Sequence, residues 1–111
     1  MSQYARGRAF EHRAKRWFEA LGYSVWPTPG SKTIVDLICL RADGRDLLVQ
    51  VKRQRRLGSR DWNELWHCAR RLGRQPVFVG VNGDDLIARR LMDKCEPYQR
   101  QLPWEEMGQD D

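Results

Sequence analysis

The sequence is poor in the features that mark several protein classes. It has three cysteines in 111 residues, Cys39, Cys68 and Cys95, and no C-x-x-C spacing. An odd, dispersed set argues against a disulfide framework and against a zinc ribbon. No apolar run approaches the ~18 residues that a membrane-spanning helix needs. The first ten residues, MSQYARGRAF, are basic and lack the apolar stretch of a secretory signal. There is no internal repeat and no low-complexity tract. Acidic residues are scarce through most of the chain: residues 1–81 hold 7 anions against 16 cations.

The remaining composition is that of a soluble globular domain, with 41% hydrophobic and 32% charged residues. The length suits one domain with one modest core. Residues 82–111 reverse the charge, with 8 anions and 4 cations, so a basic body precedes an acidic end. Sixteen of the 20 cations are Arg, the side chain suited to bidentate phosphate contact. A basic body points to a polyanionic partner such as nucleic acid, although composition alone fits a solvated basic surface equally well.

The hydrophobic pattern predicts the order αβββαβα, a mixed sheet flanked by helices. Phe10, Ala14, Trp17, Phe18 and Leu21 form a helical stripe over 6–21, ended by Gly22. Residues 23–26 form a short strand and 27–31 a loop. Residues 33–41 and 46–53 read as a hairpin turned at Asp43-Gly44. Trp62, Leu65, Trp66, Ala69 and Leu72 mark a second helix over 60–73, and 76–81 another strand. A last helix is expected over 84–94, started by Asp84 and Asp85. The expected domain is 1–96, with 97–111 a polar, acidic arm or tail.

Polar residues interrupt the apolar strands at informative places. Asp36 breaks Ile34-Val35-x-Leu37-Ile38, and Gln50 and Lys52 break Leu47-Leu48-Val49-x-Val51. Residues two apart on a strand share a face, and the hairpin can bring Asp36 to that same face. Such groups are costly in an apolar sheet unless paired or bound to a cation. Glu11 lies beside the stripe of the first helix and can lean toward the sheet. Each has an ordinary explanation when taken singly. Asp36 can cap a strand end, Lys52 can snorkel at a sheet edge, Ser31 can be a loop residue, and Glu11 can pair with Arg8 or Lys15. Together they suit phosphodiester hydrolysis, which uses a divalent cation held by oxygen ligands and a lysine beside it.

Glu11, then Gly30-Ser31, then Val35-Asp36, then Gln50-Val51-Lys52 resembles the PD-(D/E)XK nuclease superfamily. Within it the chain is similar to archaeal-type and phage Holliday junction resolvases over roughly residues 6–82. The resemblance implies a restriction-endonuclease-like core and a Mg²⁺-dependent endonuclease, with Mn²⁺ a possible substitute, that cuts four-way junctions as a homodimer. It implies that Glu11, Asp36, Gln50, Lys52 and Ser31 form the catalytic set. The metal would be held by Glu11, Asp36, Gln50 and the Val51 carbonyl. Two positions depart from the pattern: Val35 replaces the proline, and Gln50 replaces the second acid, so ligation there must use an amide oxygen.

Arg53, Arg55, Arg56 and Arg60 follow the lysine with no intervening anion, and with Arg6, Arg8 and Lys32 they are the expected DNA contacts. No small-molecule cofactor and no membrane partner is expected. The expected location is the cytoplasm of a prokaryote, or of a phage's host. Three alternatives stay open: a nuclease for other branched, nicked or linear DNA, a disarmed DNA-binding module of the same fold, and a basic structural protein.

Overall fold

A computed structural model describes residues 2–29 and 33–111. Helix α1 spans Gln3–Ala20, and Ser2 caps it by accepting the Ala5 N–H at 3.1 Å. Its buried residues Phe10, Ala14 and Phe18 recur every four positions, which makes one apolar stripe. Strand β1 (Ser24–Pro27) pairs antiparallel with β2 (Leu37–Leu40), and β2 with β3 (Leu47–Val51). The β2–β3 turn is built by Asp43, whose carboxylate accepts the Arg45 N–H, and by Gly44 at φ 80°.

Helix α2 (Ser59–Leu72) connects β3 to β4 (Gln75–Asn82), which lie parallel, as a helical crossover permits. Asp61 in its first turn and Arg70 and Arg71 in its last suit the helix dipole, and Gly73 in the left-handed region ends it. Strand β5 (Asp85–Leu91) and strand β6 (Trp104–Glu106) complete a six-stranded sheet in the order β1-β2-β3-β4-β5-β6. The two helices cover opposite faces. Phe10, Phe18, Leu37, Val49 and Val79 pack on the α1 side, and Trp62, Leu65, Leu48 and Phe78 on the α2 side. No described helix is long and apolar enough to cross a membrane.

The expected mixed sheet flanked by helices is present, but the element order ends differently. Residues 84–94, expected as a helix, contain β5 instead. Asn82-Gly83-Asp84-Asp85 is a hairpin loop with Gly83 at φ 63° and Asn82 opposite Asp85. Leu86 and Ala88 then face the α1 core while Leu91 joins the α2 core. Ala, Leu and Arg favour helices locally, but pairing with β4 overrides that preference. Part of the acidic segment 97–111 is also built into the sheet as β6. Met107 is buried, Trp104 sits against Trp62 at 5.7 Å between centroids, and Arg90 bonds Glu105 at 3.0 Å.

Pairing with β4 continues beyond the end of β3. The Lys52 N–H donates to the Val79 carbonyl at 3.0 Å, and the Val81 N–H donates to the Gln54 carbonyl at 3.0 Å. Gly80 lies between them. A Cβ there would overlap the Gln54 carbonyl oxygen and come within 2.8 and 2.9 Å of the Phe78 ring. Neither the backbone nor the packed ring yields easily. Gly80→Ala is therefore expected to destabilise the fold by about 1–3 kcal/mol, as overpacking does. It should also loosen residues 52–54, seen as lowered urea midpoint and faster amide exchange at Val81.

Candidate active site

Asp36 is held by its backbone from both sides. Its N–H donates to the Val49 carbonyl at 2.7 Å, and its carbonyl accepts the Thr28 N–H at 2.9 Å. The Thr28 hydroxyl donates to the Val35 carbonyl at 2.6 Å. These bonds carry β-like pairing one residue beyond the start of β2. The Asp36 side chain then reaches across to the end of β3, where Oδ2 accepts the Val51 N–H at 2.7 Å. This bond uses one of the two carboxylate oxygens.

Gln50 pairs in register with Phe78, which is fully buried on the α2 side, so its side chain projects to that side. Gln50 is 6% exposed, and its Oε1 has no hydrogen-bond partner among the described residues. A buried amide oxygen without a partner is uncommon and calls for an explanation such as a bound ion. Lys52, two residues on, lies on the same side, and its Nζ meets Asp61 Oδ2 of α2 at 2.5 Å. Asp36, Gln50, Lys52 and Asp61 line one pocket of about 320 Å³, together with Thr33 and Glu64.

The structure thus brings together three of the residues singled out in the sequence. Glu11 is placed differently. It is half-buried on α1 and lines a separate cavity with Arg8, His12 and Lys15, against Pro27 and Leu37. Its charge still reaches Asp36. Burial, first, and the Glu11 carboxylate push the Asp36 pKa up to about 6, against the opposing pull of the Val51 N–H and Lys52. Ser31 and Lys32, with Gly30, lie outside the described residues.

Arg53, Arg55, Arg56 and Arg60 are exposed on and beside the segment that leaves β3. That segment is pinned rather than loose. Leu57 is buried at 4% exposure, Gln54 Nε2 donates to the Arg56 carbonyl at 2.6 Å, and Arg89 donates to the Arg55 carbonyl at 3.0 Å. Arg6 and Arg8 are exposed on α1, the latter 5.8 Å from the Tyr4 ring centroid.

Three residues escaped the sequence reading. Asp61 and Glu64 are three apart at the start of α2, so they share a helical face, but an acid in a first helical turn reads simply as a dipole partner. Arg89 was hidden by the helix expected over 84–94. It stacks over Trp104 at 4.0 Å, and burial together with Arg55 and Arg56 lowers its pKa. Such crowding of like charge is relieved by a polyanion.

The raised Asp36 pKa has a stability consequence with a definite sign. The unfolded chain loses this proton near its ordinary value of 3.8, while the folded chain keeps it to about pH 6. The folded state therefore binds more protons in that window, and stability falls as pH rises through it. In EDTA, Asp36→Asn should abolish this fall and make the protein more stable at pH 7 by about 1–2 kcal/mol, below the full value of the shift because the group is part-exposed. Urea unfolding of both proteins at pH 4.5 and pH 7 measures it, and the Asn oxygen still accepts the Val51 N–H.

Residues 3–90 match the family model Mrr_cat, described as a restriction endonuclease. Among curated proteins, none matches the chain in sequence. Among solved structures, the chain is similar to Hjc, a Holliday junction resolvase from the archaeal hyperthermophile Archaeoglobus fulgidus. The TM-score is 0.63 at 16% identity, over 82% of this chain and 79% of that one. At that identity the likeness speaks for the fold, which is the restriction-endonuclease-like fold. A mixed sheet, an aspartate and a Gln-x-Lys in one pocket, and a family match over most of the chain converge: the protein belongs to the Mrr_cat restriction endonuclease family, of PD-(D/E)XK type.

Proposed function

We propose that the protein is a divalent-metal-dependent DNA endonuclease whose substrate is branched DNA, foremost the four-way junction. The observation that carries this reading is the buried, unpartnered Oε1 of Gln50 beside the Asp36 carboxylate, with Lys52 lining the same pocket. The donor set fits a hard cation. Mg²⁺ asks for oxygen ligands, commonly one or two carboxylates with water and phosphate completing the shell. Asp36, Gln50 and the Val51 carbonyl would hold it, and Mn²⁺ would substitute; Glu11, in its separate cavity on α1, would act on the site only through its charge on Asp36. When bound, the cation supplies an activated water and stabilises charge on the phosphoryl oxygens.

The chain's own groups have separable tasks. Asp36 brings negative charge to the pocket, and its elevated pKa drops when a cation arrives. Gln50 offers an oxygen without adding charge, so the set is less negative than the acid-bearing pattern and selects its cation more weakly. Lys52 would supply an ammonium that neutralises charge developing on the scissile phosphate. Ser31 is assigned a supporting role at the phosphate. Arg53, Arg55, Arg56 and Arg60, with Arg6, Arg8 and Lys32, would grip the backbone without reading bases.

The junction preference rests on the likeness to a resolvase fold and on the absence, among the described residues, of a free helix placed to read bases. A homodimer follows from the same reading, since two matched cuts need two sites related by a two-fold axis. The expected compartment is the cytoplasm. Gln50 also supports a second reading, a DNA-binding module that grips without cutting, because an amide lowers the charge available to hold metal.

The test is cleavage of a labelled four-way junction and a matched duplex in Mg²⁺ and in EDTA, with Asp36→Ala alongside. Paired symmetric cuts in the junction, lost with EDTA and reduced at least 10³-fold in the variant, are expected. Tight binding without cutting in Mg²⁺ or Mn²⁺ would replace the nuclease by the binding module. Gln50→Glu should lower the Mg²⁺ concentration needed for half-maximal activity. The double variant Arg55→Ala and Arg56→Ala should weaken junction binding and reduce the salt slope by about 0.9 for each phosphate that is no longer neutralised.

A further inference from the structure

We propose that Asp61 is a positioning residue: it holds the Lys52 ammonium in the pocket and supplies beside it the negative charge that Gln50 lacks. The inference deepens the nuclease reading and rests on it for the identity of Lys52 as the reactive lysine. An exposed ion pair ordinarily contributes little, because two long side chains must be ordered in water. This pair differs in how its ends are anchored. The Lys52 N–H is bonded to the Val79 carbonyl at 3.0 Å, so the backbone that carries the ammonium is part of the sheet. Asp61 is the neighbour of Trp62, which is fully buried and donates its Nε1–H to the Asp93 carbonyl at 2.8 Å. The Trp62 N–H also closes the first helical turn on the Gly58 carbonyl at 2.9 Å. The rotation of α2, and with it the direction of Asp61, is thereby set by a core residue.

The Lys52 ammonium and the Asp61 carboxylate are in direct hydrogen-bonding contact, a charge-assisted pair, with the two side chains 37% and 31% exposed. A lysine's flexible four-carbon stem would otherwise leave the ammonium free to swing out of the pocket to water or to the nearby phosphate backbone. Lys52 is the only cation lining the pocket among the described residues, and with position 50 an amide its own strand provides no counter-charge. The carboxylate comes instead from the helix that crosses over the sheet. Residues on α2 thus restrain a group on β3, and the restraint would meet the orientational cost of Lys52 before substrate arrives.

The test uses the ammonium signal of Lys52. The chain has four lysines, Lys15, Lys32, Lys52 and Lys94, so nitrogen-15 spectra of the side-chain ammonium groups are simple to assign by disappearance of one signal in Lys52→Met. In the metal-free protein Lys52 should give a sharp, slowly exchanging signal in the wild type. That signal should broaden or vanish in Asp61→Asn and return in Asp61→Glu. Junction cleavage by Asp61→Asn should show kcat lowered about 10- to 100-fold, with KM and junction affinity in Ca²⁺ within about 2-fold. Part of kcat should be recovered in Asp61→Glu. An unchanged Lys52 signal in Asp61→Asn would overturn the proposal, as would unchanged kcat. Should the wild type cut no DNA, the ammonium spectrum still decides whether Asp61 holds Lys52, so failure of the nuclease reading is distinguishable from failure of this one.

Discussion

The antiparallel register that sets Leu37 opposite Val49 determines where each polar group of the pocket falls. With that pairing, Asp36 lies one step beyond β2, its backbone bonded to Val49 and its carboxylate in reach of the Val51 N–H. Gln50 and Lys52 then point to the α2 side. A slip of one residue would turn both toward α1 and leave an amide and an ammonium in the Phe10–Phe18 core. The apolar residues on both faces of β3 oppose any such slip: Leu47 and Val49 belong to one core, Leu48 to the other. The parallel pairing with β4 extends the same constraint past Val51, and so fixes the start of the basic segment 53–56 against β4.

Three electrostatic tensions stand out among the described residues, two of them in this pocket. Asp36 is partly buried with Glu11 in electrostatic reach, and Gln50 presents a buried oxygen to no partner among the described residues. A cation relieves both. Arg89 is crowded by Arg55 and Arg56, and a polyanion relieves that. Strain of this sort costs stability and is tolerated where a site must bind or react. The chemistry that would ease these tensions, a metal and a nucleic acid backbone, is the chemistry of the nuclease family to which the chain belongs.

Much of the architecture was legible in one dimension. The α1 stripe, the Asp43-Gly44 hairpin and the α2 stripe each appear as a period or a turn signal, and each is found within a few residues of its expected bounds. The failure over 84–94 has a physical cause. Ala88, Arg89, Arg90 and Leu91 have helical propensity, and Asp84-Asp85 resembles a helix start. Only the pairing of β5 with β4, beginning at the Gly83 turn, shows the strand. The same limit hid β6, which is too short to carry a readable periodicity.

For the pocket, local sequence sufficed wherever a polar residue broke an apolar strand. Asp36, Gln50 and Lys52 were visible because burying such groups is costly, so their presence in strands needs a reason. What no local pattern could supply was their company. Glu11 reads as part of the set, yet α1 packs on the opposite face and places it in a separate cavity, linked to Asp36 by charge alone. Asp61 reads as a helix-start acid, yet the crossover brings it to Lys52. The chain determined by itself which side chains are costly and where the elements run, since propensity, periodicity and turn chemistry act over a few residues. Only the tertiary structure decided which carboxylate meets the lysine, because that depends on how α2 is rotated by Trp62 in a core assembled from distant parts of the chain.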